Sequence, residues 1–419
     1  MASTTVSKNR SLLFNTTALF VLQIANYVFP FLLIPYLTRV LGASLYGVVA
    51  FGISMAQIAN IITDYGFNLS ATYSIAKEQD NKSYIDKIIG AVFVCKIALL
   101  ICVSLLLGGY IVAQSKYEEY NVFLWLMLIS VLGQTFQPIW FFQGIEKMVF
   151  ITICTVLSRT IYLVLVVLLV NGAEDLNQVA LSYGFANIAA AICGVVMMYR
   201  LGYRVILPSW SFIKEVFNSS TGFFLSRAAV ATYTTCGTFF LGLVSTPTQV
   251  AYYSAAEQLY KGAQAIFSPV SQSMYPHMAK HKNFSLFFKV MKLTVLASLI
   301  GILIGIFLGP TVLRLVFGEE FVSSYPILIV FLFIFAITTP SILLGYPFLG
   351  ALGQIKLANQ SVLYAGLLQV VLLVLFYFLN FKQGFQVSLS VLSVECIVLL
   401  LRVLWAKKFY ALNKPALAL

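Results

Sequence analysis

Apolar residues in this chain neither alternate with polar ones nor recur on a single helical face; they run on without relief. Phe93–Leu107 and Leu296–Leu308 hold almost nothing polar, and such runs end at short groups of Gly, Pro, Asn and charge. At 1.5 Å rise per residue, helices of roughly 20–30 residues cross a hydrocarbon core of about 30 Å. Nothing in the pattern matches the ~10-residue alternating segments of a membrane barrel. Twelve spans are predicted, near 12–38, 44–76, 85–110, 119–145, 148–172, 178–200, 212–243, 248–280, 286–308, 323–349, 355–379 and 384–410. Leu12–Thr38 follows Lys8 and Arg10 as a signal peptide would. It is too long for one and no small-residue cleavage site follows it, so it is read as a span. Every connection is short, which leaves no room for a separate soluble domain. The expected fold class is an all-α integral membrane protein.

Composition sharpens that reading. The chain is 60% hydrophobic and 10% charged, with mean hydropathy +0.93, too little charge to cover a soluble surface. The distribution of the 26 Lys and Arg then orients the spans. With both termini cytoplasmic, eighteen, Arg402 among them, fall on the inner side. Four (Arg39, Lys116, Arg314, Lys382) fall outside, and four (Lys96, Arg159, Arg227, Lys261) lie within spans. This is the positive-inside bias, and it accounts for the net charge of +12 without nucleic acid. Six acids (Glu118, Glu119, Glu174, Asp175, Glu319, Glu320) fall outside. The six cysteines lie in apolar segments with no CxxC or Cys/His grouping, so no metal site, disulfide framework or cofactor is indicated.

A weak internal repeat suggests two lobes. Sliding residues 14–77 onto 217–280 pairs Phe14–Asn15 with Phe217–Asn218, Phe20 with Phe223, Leu22 with Leu225 and Ala25 with Ala228. It also pairs Ser70 with Ser273 and Ala76–Lys77 with Ala279–Lys280. Eight matches in 64 positions is little above background for this composition, but the offset also lays span 1 on span 7 and span 2 on span 8. Six plus six spans, divided as residues 1–204 and 205–419, is a transporter-like arrangement around a central cavity.

The charges left inside the spans carry the chemistry. An ionised group at the bilayer centre costs about 2.5–3.5 kcal/mol on insertion scales, so such residues face a bundle interior or a wet cavity. Glu257 and Lys261 stand one helical turn apart with the acid first, the better order. The pair either neutralises itself for insertion or borders a cavity. Lys96, Arg159 and Arg227 have no acid within four residues of sequence, and an excess of buried bases points to anionic cargo, which Arg grips bidentately. Asp64 and Glu395 can be structural or functional, and Arg39 can simply snorkel at the outer end of span 1. His277 and His281 fall near an inner helix end. Pro30, Pro35, Pro138, Pro269, Pro276, Pro340 and Pro347 are expected to kink spans 1, 4, 8 and 10, and Trp125, Trp140, Trp210 and Trp405 to sit in interfacial belts.

Three stretches resemble a known family. FPFLLIPYLTRVLGASLYGVVAF (Phe29–Phe51) is similar to a P-x-L-x-R-x-L-G-x-x-x-Y-G signature, with Pro35, Leu37, Arg39, Leu41, Gly42, Tyr46 and Gly47 in place. DYGFNLSATYSIAK (Asp64–Lys77) and QPIWFFQGIEKM (Gln137–Met148) likewise resemble the polysaccharide-transporter branch of the multidrug/oligosaccharidyl-lipid/polysaccharide exporters, nearest the Wzx-type O-antigen flippases. The resemblance implies two six-helix lobes that move undecaprenyl-pyrophosphate-linked oligosaccharide across a bacterial inner membrane by alternating access. It implies a cationic cavity for the head group and a polyprenyl tail left in lipid. A polysaccharide polymerase and a chain-length regulator are candidate partners. Arg39 is the charged position that the signature itself carries over; Lys96, Arg159, Arg227 and Lys261 are added as cavity cations by depth and charge. Asp64 and Glu257 are the carboxylates suited to ion or proton coupling. A drug/cation antiporter of the same superfamily would want an acidic cavity, and a membrane polymerase or ligase would want a long outer loop with a reactive acid–base pair.

Overall fold

The computed structural model describes the backbone of residues 2–417 and the side chains of residues 21–231 and 235–412. The side chains of Lys8, Arg10 and Lys414, and the repeat positions Phe14, Asn15 and Phe20, lie outside the described side chains. Among the described residues there is no strand. Thirteen α-helices follow one another: α1 (Ala2–Asp64), α2 (Phe67–Lys77), α3 (Lys82–Ala113), α4 (Asn121–Phe136), α5 (Ile139–Gly144), α6 (Met148–Leu169) and α7 (Leu176–Arg200). Then come α8 (Trp210–Val244), α9 (Pro247–His281), α10 (Phe284–Phe317), α11 (Tyr325–Leu343), α12 (Ile355–Phe378) and α13 (Gly384–Leu417). Nine helical segments among the described residues are long and apolar enough to cross a membrane, the first of them Val21–Lys77. α8 and α9 have the length, 35 residues each, but are diluted by charge and hydroxyls. The chain is a multi-pass, all-helical membrane protein.

The chain folds as two compact units, one made of residues 1–41 and 52–228, the other of residues 42–51 and 229–419. In the first, α4 and α6 pack against α7, α2 packs against α5, and α3 packs against α4. Its core gathers Phe67, Trp140, Phe141, Phe142 and Cys154. In the second, α11 is the hub, packing against α9, α10 and α13.

Prolines break spans 4 and 10, at Pro138 and at a π-helical turn, Leu344–Leu349, that holds Pro347 and a non-helical Gly345. Pro30, Pro35, Pro269, Pro276 and Pro310 stay inside continuous helices. The 63-residue α1 is interrupted instead at Gly42, whose φ of 71° with ψ of 176° suits glycine. The next amide, Ala43 N, is capped by Glu320 Oε2 at 2.8 Å, and Tyr46 meets the Phe321 ring edge-on at 5.8 Å. The Gly42-x-x-x-Tyr46-Gly47 part of the signature is therefore a docking element of the second unit. Under the repeat offset Gly42 falls on Ser245, the turn between α8 and α9.

Two breaks fall inside predicted spans 2 and 4, and the one at Pro138 was expected. Span 2 (44–76) is cut at Tyr65 (φ 44°) and Gly66 (φ 78°), two successive left-handed residues between α1 and α2. Span 4 (119–145) is cut at Gln137–Pro138, because Pro138 lacks the amide that would continue the ladder. Trp140, expected at an interface, is 1% exposed in the core, whereas Trp125 and Trp210 are exposed. The connection after α7 is strapped to α3: Arg204 N donates to Asp86 Oδ1 at 2.9 Å and Ile206 N to Asp86 O at 3.4 Å. In that connection burial pushes the Tyr203 hydroxyl above its ordinary pKa, and the Asp86 charge adds to the shift.

Gly66→Ala places a Cβ 2.7 Å from Phe224 N in a left-handed conformation that costs an L-residue about 1–2 kcal/mol. We expect a several-fold fall in membrane-inserted protein. Gly109→Ala, with nothing within 4 Å, leaves the amount unchanged. Quantitative blotting of membranes checks both.

Candidate functional site

Asp64 is the last residue of α1, and the Tyr65–Gly66 turn that follows it is clamped by the first half of α8. The Tyr65 ring stacks on Phe217 and Phe224 at 4.2 and 4.7 Å, and its hydroxyl shares a hydrogen bond with Thr221 at 3.2 Å. Ser70 and Ser220 hydroxyls meet at 2.6 Å. The absent side chain of Gly66 lets the α8 backbone pass at Phe223–Phe224. That clamp sets Arg227, one turn further along α8, beside the Asp64 carboxylate: Arg227 Nε lies 3.7 Å from Oδ2.

Lys96 approaches Asp64 from α3. It is 3% exposed, its Nζ is 3.9 Å from Asp64 Oδ1, and it donates to Thr135 O at 2.9 Å. That carbonyl is available because α4 ends one residue later, and the last carbonyls of a helix have no intrahelical donor. Thr135 Oγ1 in turn donates to Thr63 Oγ1 at 3.1 Å, next to Asp64. The Pro138 break and the Lys96 anchor are thus one device. Lys96 and Arg227, which lack an acid near in sequence, are not uncompensated; helix packing gives them Asp64 in common. Arg159 on α6 is half-buried and makes no ion pair among the described residues.

Asp64, Lys96 and Arg159 line one cavity of about 330 Å³ inside the first unit. Six amide side chains share the wall: Asn26, Asn60, Asn68, Gln134, Gln137 and Asn187. On one side these groups satisfy one another. Gln134 Nε2 donates to Tyr183 Oη at 3.3 Å, Gln137 Nε2 to Asn187 Oδ1 at 3.3 Å, and Asn187 Nδ2 to Tyr183 O at 2.8 Å. On the other side, both carboxylate oxygens of Asp64 and Oδ1 of Asn68 are buried with no protein donor in hydrogen-bonding range. The amide lining was not singled out from sequence, because isolated Asn and Gln in different helices carry no spacing signal.

The remaining predicted residues lie elsewhere. Arg39 is exposed on α1, three residues before the Gly42 break, and is not among the residues lining this cavity. Glu257 and Lys261 belong to the second unit. Lys261 Nζ is 3.0 Å from Glu257 Oε2, and Thr238 Oγ1 donates to the same oxygen at 3.2 Å. Glu257 is 7% exposed, and the Lys261 side chain is 39% exposed.

Arg402, assigned by sequence to the inner flank, is instead 8% exposed within the second unit. Its Nη1 donates to Ser341 O and Oγ at 2.8 and 3.2 Å, and its Nε to Ser361 Oγ at 3.0 Å. Glu395, two turns earlier on α13, is 4% exposed and acts on Arg402 electrostatically. Position near the end of its predicted span concealed Arg402; only the packing of α11, α12 and α13 shows where it points. Among the described residues no group of His, Cys, Asp and Glu could hold a metal ion, and all six cysteines are free thiols.

Buried ion pairs and a polar cavity among apolar helices are features of membrane transporters. A family model described as "Polysaccharide biosynthesis protein" matches residues 12–282, more than half of the chain and all three quoted motifs, so the chain belongs to that family. An Escherichia coli (strain K12) protein named "Putative O-antigen transporter" is 29% identical, covering 94% of this chain and 96% of its own length. Among solved structures, the lipid II flippase MurJ in an inward closed conformation superposes with a TM-score of 0.67 at 14% identity, over 94% of this chain and 87% of that one. An inward-facing multidrug resistance MATE family transporter of the MOP superfamily gives 0.64 at 13% identity, over 96% of this chain and 99% of that one. The fold is the one those two structures share.

Removing one member of a buried pair costs about 3–5 kcal/mol, because the other charge is left behind. Asp64→Asn should therefore lower the melting temperature of the detergent-purified protein, and adding Lys96→Met should recover part of that loss. Thermal unfolding of the two single variants and the double variant measures the coupling.

Proposed function

We propose that this protein is a flippase for lipid-linked oligosaccharide, carrying O-antigen-type repeat units on undecaprenyl pyrophosphate from the cytoplasmic to the periplasmic leaflet of a bacterial inner membrane. Membership of the polysaccharide biosynthesis family, the transporter name of its E. coli relative and the fold it shares with MurJ support the reading. The observation that carries it is the cavity of the first unit, where bases and amides line one space among apolar helices. A head group of sugars and phosphate needs both kinds of partner, and an alkyl or cationic drug needs neither.

In this reading the protein works by alternating access, with twelve spans, cytoplasmic termini and two lobes, and the polyprenyl chain stays in the bilayer. Arg159 is the base assigned to anionic groups of the cargo. Lys96 and Arg227, tied to Asp64, hold the site's shape and raise its potential. Lys261 and Arg39 are assigned to the path beyond this cavity, and Glu257 is the carboxylate assigned to ion coupling. A drug/cation antiporter is disfavoured because Lys96 and Arg159 outnumber Asp64 in the lining.

The test is complementation of a flippase-deficient strain, reading surface polysaccharide and membrane abundance together. Arg159→Ala and Arg227→Ala should accumulate normally and export less than a tenth of the wild-type polysaccharide, while Arg159→Lys retains part. Cys154→Ala should change neither readout. Normal export by every Ala variant would remove these bases from cargo handling.

A further inference from the structure

Resting on the flippase reading, we infer that the Asp64–Asn68 corner of the first unit's cavity receives the sugar end of the cargo rather than its pyrophosphate, with Asp64 and Asn68 accepting hydrogen bonds from sugar hydroxyls and Arg159 left to the anionic groups. Three acceptor atoms converge there without a protein donor: Asp64 Oδ1, Asp64 Oδ2 and Asn68 Oδ1. Asp64 is 3% exposed and ends α1, and Asn68 lies one turn beyond it at the start of α2; both line the cavity. A buried acceptor left without a donor costs about 1–3 kcal/mol, more when charged. Residues kept so point to a ligand that brings donors.

Three ligand chemistries can be weighed against these atoms. A phosphate or pyrophosphate presents acceptors, and at this corner its oxygens would face the two carboxylate oxygens of Asp64. A bare cation would find the carboxylate, but also Lys96 Nζ and Arg227 Nε at 3.9 and 3.7 Å from it, whose charges oppose a further positive ion. A sugar meets neither obstacle. Neighbouring hydroxyls on one ring can donate to the two oxygens of one carboxylate, the bidentate geometry in which charge-assisted hydrogen bonds are strongest. The rest of the wall suits the same ligand, since amides offer a donor and an acceptor to each hydroxyl. The volume of about 330 Å³ falls within the ~300–1,000 Å³ range of small-molecule sites. Lys96 and Arg227 make Asp64 tolerable in the membrane without consuming its lone pairs, because both sit beyond hydrogen-bonding distance.

The experiment uses the full chain in nanodiscs and two soluble probes. One is oligosaccharide repeat released from surface polysaccharide and freed of lipid and phosphate; the other is inorganic pyrophosphate. Asn68→Leu is the central variant, since it deletes one acceptor and leaves the Asp64 ion pairs in place; Asp64→Asn accompanies it, with thermal unfolding to confirm folding. The expected result is saturable oligosaccharide binding weakened at least tenfold in Asn68→Leu, with pyrophosphate binding unchanged. Tenfold corresponds to about 1.4 kcal/mol, the size of one hydrogen bond. Wild-type oligosaccharide affinity in Asn68→Leu overturns the inference. So does loss of pyrophosphate binding alone, or the absence of saturable oligosaccharide binding by the wild-type chain in the millimolar range. An Asp64→Asn protein that binds oligosaccharide normally and loses only dependence on sodium or protons overturns it in favour of coupling. The flippase reading is judged separately: it fails if the wild-type chain does not restore surface polysaccharide in the deficient strain, whatever the probes do.

Discussion

A carboxylate held out of water among apolar helices has to be answered by charge close at hand, and much of the first unit is arranged around that requirement. Asp64 is answered by Lys96 from α3 and Arg227 from α8, so one residue gathers three helices that are distant in sequence. Neither base is close enough for a hydrogen bond, and Lys96 gives one of its three donors to Thr135 O. The charge is balanced, yet the carboxylate's lone pairs stay open to the cavity. Charge balance rests on the carboxylate's charge, and the proposed recognition on its lone pairs.

Backbone breaks make that arrangement attainable. The Tyr65–Gly66 turn aims Asp64 inward and lets α8 cross at contact distance, and the Pro138 break exposes the carbonyl that anchors Lys96. An uninterrupted helix satisfies its own backbone and has nothing to offer a buried side chain. The irregular backbone here is packed by protein and brings Asp64, Asn68 and Gln137 to the cavity wall.

The second unit solves a similar problem differently. Arg402 is buried among neutral oxygens of Ser341 and Ser361, with Glu395 two turns away, and Glu257 is closed off locally by Lys261 and Thr238. These groups are satisfied where they stand. The second unit also holds buried atoms without a partner, Gln369 Oε1 and His277 Nε2, but the open acceptors that line the described cavity are those of Asp64 and Asn68 in the first, and cargo recognition is proposed there.

The chain's own pattern determined that this is a helical membrane protein, because long apolar runs admit little else in a bilayer. It also determined the family, through the local motifs around Arg39, Asp64 and Gln137. It singled out the charged residues inside the spans as well, since a charge inside an apolar run is conspicuous on cost alone. Tertiary structure decided what each charge does. Lys96 and Arg227 lack acidic neighbours along the chain and find one across helices. Arg402 looked like a flanking base and is buried. Asn68, Gln134, Gln137 and Asn187 were invisible as a set until folding put them on one wall. Of the prolines, Pro138 breaks a helix and Pro30, Pro35, Pro269 and Pro276 do not, since neighbouring packing settles whether a lost hydrogen bond becomes a break. Cost is a property of a residue and its segment; partnership belongs to helices brought together, and no spacing along one chain records it.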